Sequence, residues 1–232
     1  IEMSLLEFCV REDLNKKSNR LMVVQDPLKI TITNYEKDNE TLLLENNPEA
    51  EAKDKREVYF SKTIYIEKED FMENPPPKFF RLTVGKEVRL KGAYIIKAES
   101  ILKDTSGNIT EILCTYDPKS KSGSGTAESQ RKVKGTLHWV SAENSVDLEI
   151  REYDRLFTHQ SPGDFDPSDF NSILNNDSVK IYNGYGESAI KKTSQNEPVQ
   201  FQRKGYYILD PSSSKDNLVF NKTVGLRDSW KK

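Results

Sequence analysis

An all-β fold is the class that the sequence predicts, built from two antiparallel β-barrels with a short helix at the N-terminus. Apolar and polar residues alternate along many short segments, which is the pattern of strands with one buried face. Turn-forming residues separate these segments at close intervals, as is typical of antiparallel barrels. Only the first segment has apolar residues at helical spacing. With 232 residues, the chain is long enough for one large or two small cores.

The predicted helix spans residues 1–14, where Leu6, Val10 and Leu14 lie on one face. Polar residues directly after Leu14 end it. The chain opens at Ile1 within this helix rather than at a methionine. We therefore expect the chain to be a fragment of a longer protein, with any catalytic part outside it.

The strands are predicted from period-two alternation and from the turns between them. In the first half of the chain they lie at 20–32, 58–60, 63–66 and 79–99, with a hairpin over 94–116 that turns at 104–108. In the second half they lie at 131–140, 146–153, 179–182, 199–201, 205–209 and 218–220. The polar segments 46–57 and 117–130 are predicted to be loops, and the prolines at 75–77 break the chain. A short helix is predicted at 166–174, because Asp166 suits the N-cap and Pro167 the first helical position.

Composition excludes several classes of protein. Two widely separated cysteines, Cys9 and Cys114, have no metal-ligand spacing and favour a reduced, cytoplasmic protein. No apolar run approaches membrane-spanning length, so no membrane partner is expected. The two histidines, His138 and His159, are isolated, and no phosphate-binding loop or nucleophile motif is present. We therefore expect no catalytic residue, cofactor or metal in this chain.

A basic strand region is the main functional signal. Residues 78–103 carry seven lysines and arginines against two acidic residues, whereas the whole chain has a formal net charge of −2. The period of two puts Val88 and Leu90 inward and Arg89 and Lys91 outward. A cationic strand face with aromatic residues nearby favours a polyanion, and RNA is the first candidate.

Four motifs then resemble a known family. They are 84–94, 132–141, 153–157 and 220–230, and in this order they are similar to the C-terminal half of bacterial glutaminyl-tRNA synthetases. The resemblance runs from the first helix to the end of the chain. It implies two β-barrels that bind the anticodon loop of glutamine tRNA. ATP and Mg²⁺ would belong to the absent catalytic domain, whose ATP-binding signatures do not occur here, and the enzyme would be monomeric.

The resemblance also implies eight anticodon-binding residues. The central uridine would be held by Arg20, Gln200 and Arg203. The third base would be held by Arg81, with Phe80 beside it. The first base would be held by Arg89, Leu90 and Lys91. Phe80 stands where relatives can carry lysine, which keeps stacking but removes a donor. Lys91 stands where arginine can occur, so a point charge replaces a planar fork.

Physical reasoning adds further expectations. The spacing of Gln200 and Arg203 would put them on opposite faces of a simple strand, so a bulge or turn is predicted between them. Four lysines are predicted to contact phosphates without choosing bases: Lys86, Lys97, Lys132, Lys134. Several other residues are assigned structural roles. Trp139, Phe157 and Trp230 are predicted to lie in the barrel cores, and His138 is predicted to be a satisfied strand histidine. Lys222, Arg227 and Asp228 are predicted to form an ion-pair corner.

Since Arg20 and Arg203 would share one pocket, the beginning and the end of the chain are predicted to be neighbours. This favours a helical tail at 1–19, a proximal barrel from 20–78 and 156–232, and a distal barrel from 79–155. Two alternatives remain open. One is the matching region of a barrel-bearing glutamyl-tRNA synthetase, and the other is a ribosomal or structural RNA-binding barrel protein.

Overall fold

The N-terminal helix α1 runs from Met3 to Lys17 in the computed structural model, which describes residues 3–159 and 162–227. It extends three residues beyond the predicted end, and Ser18 N donates to Leu14 O at 2.8 Å just after it. Leu14 packs against Tyr206 and Val224, whereas Leu6, predicted on the same face, is exposed. None of the described helices is long and apolar enough to cross a membrane.

Sixteen strands follow in the described residues. The first eight are β1 (Asn19–Leu21), β2 (Val23–Val24), β3 (Pro27–Ile32), β4 (Glu40–Glu45), β5 (Lys55–Phe60), β6 (Thr63–Glu67), β7 (Glu87–Leu90) and β8 (Ile95–Lys103). The others are β9 (Ile109–Tyr116), β10 (Thr136–Leu137), β11 (Val140–Ser141), β12 (Val146–Tyr153), β13 (Val179–Gly186), β14 (Val199–Phe201), β15 (Gly205–Leu209) and β16 (Leu218–Gly225). A second short helix, α2, spans Ala127–Gln130.

These strands form two seven-stranded, barrel-like sheets and one hairpin, so the predicted all-β fold with an N-terminal helix is confirmed. Sheet A has the order β1-β14-β15-β16-β12-β13-β2, and sheet B has the order β10-β7-β8-β9-β3-β6-β11. Strands β4 and β5 pair with each other. The sheets are not purely antiparallel as predicted, because strands from distant parts of the chain also pair in parallel: β1 with β14, β12 with β16, β3 with β9, and β7 with β10.

Each sheet curves because one continuous segment supplies both of its edges. In sheet B, β10 pairs with β7 at one edge, and β11, two residues later in the chain, pairs with β6 at the other. In sheet A, β1 and the adjoining β2 occupy the two edges in the same way. The single strand predicted at 131–140 is therefore wrong. The segment bends at His138 and Trp139 so that it can reach both edges.

The strand pairing differs from the predicted division into barrels. Strands β3 and β6, expected with the C-terminal barrel, belong to sheet B, and β12, expected in the distal barrel, belongs to sheet A. Sheet B therefore takes its strands from residues 27–141, and sheet A takes its strands from 19–24 and 146–225. The physical reason is that alternation identifies a strand and its buried face but carries no information about which strand it will pair with.

Each sheet has its own aromatic core. Trp139 and Phe60 meet edge to face in sheet B, with ring centroids 5.1 Å apart, which confirms the core assignment of Trp139. Phe201 and Tyr207 stack at 4.0 Å in sheet A. Phe157, expected in a core, is only half-buried. Trp230 and Asp228, to which structural roles were assigned, lie outside the described residues.

Candidate nucleic-acid interface

Arg20 and Gln200 lie at the floor of a cleft between helix α1 and sheet A. They are direct partners in the parallel ladder of β1 and β14. Gln200 Nε2 donates to the Tyr206 hydroxyl at 2.9 Å, and Arg20 Nη2 donates to Asn15 Oδ1 at 2.9 Å. The Arg20 Nε atom is buried and has no hydrogen-bond partner among the described residues. This Arg20 cleft has a volume of about 620 Å³ and is also lined by Arg11.

Arg203 sits on a tight turn directly after β14, as the spacing from Gln200 predicted. Its φ is +69°, in the left-handed region that few non-glycine residues adopt, and Lys204 N donates to Phe201 O across the turn. Gln202 N donates to Leu21 O at 3.0 Å, so the turn stays beside β1. The prediction that the two ends of the chain are neighbours is therefore confirmed.

The Arg203 side chain makes a bidentate pair with Asp70. Its Nη1 lies 2.6 Å from Asp70 Oδ2, and its Nη2 lies 2.7 Å from Asp70 Oδ1. The Asp70 residue is completely buried at the end of a 3₁₀ turn, Lys68–Asp70, that follows β6. These hydrogen bonds raise the pKa of the Arg203 guanidinium and fix the orientation of its plane.

Arg81 binds the same carboxylate. Its Nε lies 3.2 Å from Asp70 Oδ1, and its Nη1 donates to the carbonyl oxygen of Glu69 at 2.9 Å. The two arginines come from segments far apart in the sequence, and each keeps about a third of its side chain exposed, 33% for Arg203 and 38% for Arg81. One buried negative charge therefore holds two solvent-facing guanidinium groups side by side.

A second depression, the Phe80 pocket, opens beside this arrangement. It has a volume of about 530 Å³, and its lining includes Phe80, Arg81, Lys134 and Arg203. Phe80 is 52% exposed, and the Lys134 ammonium lies 5.3 Å from the centre of its ring. An exposed aromatic face next to cationic donors is a surface on which an unstacked base can stack while its edge is read.

His138 and Glu67 extend the network below Arg203. His138 is buried, with Nδ1 at 3.4 Å from Arg203 Nη1 and Nε2 at 3.4 Å from Glu67 Oε1. Burial raises the pKa of Glu67, but the interaction with His138 and the charge of Lys204 outweigh it and leave the pKa below its ordinary value. His138 is therefore not the satisfied strand histidine that was predicted, because it lies in the interior between β10 and β11 and its Nε2 is buried without a hydrogen-bond partner among the described residues.

The residues predicted for the first base have different environments. Arg89 donates four hydrogen bonds into the loop after β9: to Ser120 O, Ser122 Oγ, Ser129 O and Arg131 O. Leu90 is buried in the core, which leaves only its backbone for any contact. Lys91 is exposed, and partial desolvation together with the charges of Arg20 and Arg56 lowers its pKa. Arg89 and Leu90 are the ladder partners of Thr136 and Leu137, which line the Phe80 pocket, whereas the charge of Arg20 acts on Lys91.

The lysines predicted to contact phosphates lie at the surface. Lys86, Lys132 and Lys134 are exposed, whereas Lys97 is half-exposed and lies 3.1 Å from the Glu99 carboxylate. A paired lysine has less free charge to offer a phosphate than the other three.

The structure groups the predicted residues into two neighbouring sites. Arg20 and Gln200 share one cleft, whereas Arg203 turns its guanidinium toward Phe80 and Arg81. Sequence reasoning missed Asp70, which organises the second site. A single aspartate within an acidic helical turn carries no motif, and only its burial between two arginines reveals its role.

The sequence of the chain is similar to those of one known family. Two family models match, both described as the anticodon-binding domain of the class I tRNA synthetases (E and Q), over residues 18–117 and 136–210. The glutamine–tRNA ligase of Vibrio parahaemolyticus is 49% identical over 234 residues, which cover 100% of this chain and 41% of that protein. The glutamine–tRNA ligase of Rhodopirellula baltica is 46% identical over 234 residues, covering 100% of this chain and 39% of that protein.

The glutamine–tRNA ligase of Salmonella choleraesuis is 47% identical, and the match covers 100% of this chain and 41% of that enzyme. The chain therefore spans only about two fifths of the length of these relatives. The two matched segments contain Arg20, Arg81 and Arg203, the three arginines whose geometry defines the two sites. The chain belongs to the anticodon-binding domain family of the class I tRNA synthetases (E and Q).

Proposed function

We propose that this chain recognises the anticodon loop of glutamine tRNA, as the anticodon-binding region of a glutamine–tRNA ligase. The observation that carries the proposal is the pair formed by Arg81 and Arg203 on the buried Asp70 carboxylate, beside the exposed ring of Phe80. Planar guanidinium groups donate to base edges and also stack on bases, which suits the unstacked bases of an RNA loop. The similarity to glutamine–tRNA ligases along the whole chain supports the choice of tRNA.

In this proposal the central base lies between the two sites, because Arg20 and Gln200 line the Arg20 cleft while Arg203 lines the Phe80 pocket. Arg20, Gln200 and Arg203 hold the central uridine, between the Arg20 cleft and the turn after β14. The shape of the Arg20 cleft supports this, since Arg20 and Gln200 both line it.

The third base lies over Phe80, and Arg81 reads its edge. Arg81 Nη2 makes no hydrogen bond or ion pair with the described residues, and a guanine offers O6 and N7 as acceptors. The third anticodon base distinguishes glutamine from glutamate tRNA, so this contact would also distinguish those two RNAs.

The first base lies near Arg89, the Leu90 backbone and Lys91. Arg89 acts there partly by ordering the loop that it binds. The exposed lysines Lys86, Lys132 and Lys134, and more weakly Lys97, contact phosphates and add affinity that depends on salt.

The whole protein, on this proposal, attaches glutamine to its tRNA at the expense of ATP with Mg²⁺. The catalytic domain that binds these cofactors is a separate part of the polypeptide, and this chain supplies no catalytic residue. The protein acts as a cytoplasmic monomer whose partners are glutamine tRNA and its own catalytic domain, without a membrane.

The proposal is tested by measuring the affinity of the chain for glutamine tRNA and for variants changed at each anticodon base. A correct proposal predicts a loss of about ten-fold or more for each change, the size of one lost base-edge contact. A preference for glutamate tRNA would instead support the glutamyl branch of the family. Equal binding of every variant, or tighter binding of folded ribosomal RNA, would contradict the proposal.

A further inference from the structure

We infer that Asp70 makes Arg81 and Arg203 act as one recognition unit, so that two anticodon bases are read cooperatively rather than independently. Asp70 is a positioning residue here, since it contacts both arginines and is completely buried. The inference rests on the proposed function and adds a mechanism to it.

The geometry of the carboxylate carries the first step. Asp70 Oδ1 lies 2.7 Å from Arg203 Nη2 and 3.2 Å from Arg81 Nε, so one oxygen atom serves both guanidinium groups. Asp70 Oδ2 lies 2.6 Å from Arg203 Nη1. Both oxygens are therefore engaged, and a shift of either arginine changes the hydrogen bonding of the other.

Burial makes this sharing strong. The Asp70 side chain has no exposed surface, so its charge is not screened by water and depends on the two arginines for compensation. The two guanidinium groups carry like charges, and the Asp70 carboxylate is the partner that they share. Without it, each guanidinium would be freer to rotate and would repel the other.

The unused donors carry the last step. Arg203 keeps its Nε and the second N–H of Nη2, because Asp70 takes one N–H from each Nη atom and His138 Nδ1 lies within 3.4 Å of Nη1, and Arg81 keeps Nη2. These donors lie at the Phe80 pocket, whose lining includes both arginines. Asp70 thus determines which donors point toward the bases, and groups linked through one partner respond together.

Asp70→Asn tests the inference in binding assays with glutamine tRNA and with its central-base and third-base variants. The variant keeps the shape of the side chain and removes its charge. We expect discrimination at both bases to fall by about ten-fold, with little change in salt dependence. Glu187→Gln is the matched control, because Glu187 is a buried carboxylate paired with Arg56 outside both sites. It is expected to retain discrimination at both bases.

Arg81→Gln keeps the inference testable even if Asp70→Asn does not fold. We expect this single change to weaken discrimination at the central base as well as at the third base. If Arg81→Gln affects the third base alone, or if a folded Asp70→Asn variant retains discrimination at either base, the inference is overturned while the proposed function stands. A wild-type chain that binds every anticodon variant equally overturns the proposed function itself, and the inference with it.

Discussion

Arg20 and Gln200 stand opposite each other in the parallel ladder of β1 and β14, although they lie near opposite ends of the chain. Asn15 and Tyr206 link the two side chains through hydrogen bonds. Asn15 Oδ1 accepts from Arg20 Nη2 and from the Tyr206 hydroxyl, and that hydroxyl accepts from Gln200 Nε2. Backbone pairing therefore brings the two side chains together, and a polar network from α1 and β15 holds their orientation.

Arg20→Lys should reduce selectivity without unfolding the chain. Lysine retains the positive charge but lacks the planar fork and the Nε donor that Arg20 keeps buried. We expect the affinity for cognate tRNA to fall by about ten-fold, with most of the loss in discrimination at the central base. Filter binding at several salt concentrations measures both effects.

Lys132→Ala is the control for Arg20→Lys. Lys132 is exposed, so its removal should weaken all RNAs alike and reduce the slope of log affinity against log salt by about one. If Arg20→Lys also weakens all RNAs alike, Arg20 does not read a base.

Gly135→Ala should destabilise the wall of the Phe80 pocket. A Cβ at this position would lie 2.4 Å from the Phe80 carbonyl oxygen and 3.1 Å from Val88, so the backbone must move. Such overpacking costs about 1–3 kcal/mol in the free energy of unfolding. Denaturant unfolding should show this cost, and tRNA affinity should fall because Phe80 shifts. Gly163→Ala is the control, since no atom lies within 4 Å of its added Cβ, and equal stability of the two variants would contradict the prediction.

The sequence predicted the elements better than their arrangement. Alternation located most strands and the inward Val88 and Leu90, because the period of two follows from backbone geometry alone, but it missed β4. It could not assign β12 to sheet A or show that β10 and β11 occupy opposite edges of sheet B, because pairing depends on contacts between distant segments.

The candidate site shows the same division. The turn before Arg203 followed from its spacing to Gln200, and the resemblance supplied the arginines. Asp70 could not be found in this way, since its role exists only once the chain buries it between Arg81 and Arg203.

Arg89→Ala should release the loop between β9 and β10. The guanidinium joins Ser120, Ser129 and Arg131, among others, to strand β7 of sheet B, and alanine removes all of these hydrogen bonds. We expect trypsin to cleave within this loop about ten-fold faster, because local opening becomes less costly.

Lys86→Ala is the control for Arg89→Ala, because it removes a nearby exposed charge that makes no side-chain hydrogen bond among the described residues. It should leave the cleavage rate within the loop unchanged. An unchanged rate in Arg89→Ala would show that the loop is held by its own turns, and Arg89 would then be free to contact RNA.

Glu152→Gln should destabilise the chain in a pH-dependent way. Burial raises the pKa of Glu152, but hydrogen bonds from Tyr207 and Gln25 and the charge of Lys222 leave the pKa below its ordinary value near 4.5. A carboxylate with a lowered pKa in the folded state contributes stability above its unfolded pKa and loses it as the pH falls through the folded pKa. The melting temperature of Glu152→Gln should therefore lie below that of the wild type at pH 7, and the gap should narrow as the solution is acidified below the ordinary pKa of glutamate.

Glu51→Gln, in the exposed loop between β4 and β5, should follow the wild-type curve at every pH. A gap for Glu152→Gln that stays constant through acidification would mean that shape, rather than charge, is what Glu152 contributes to the contact between Gln25 and Tyr207.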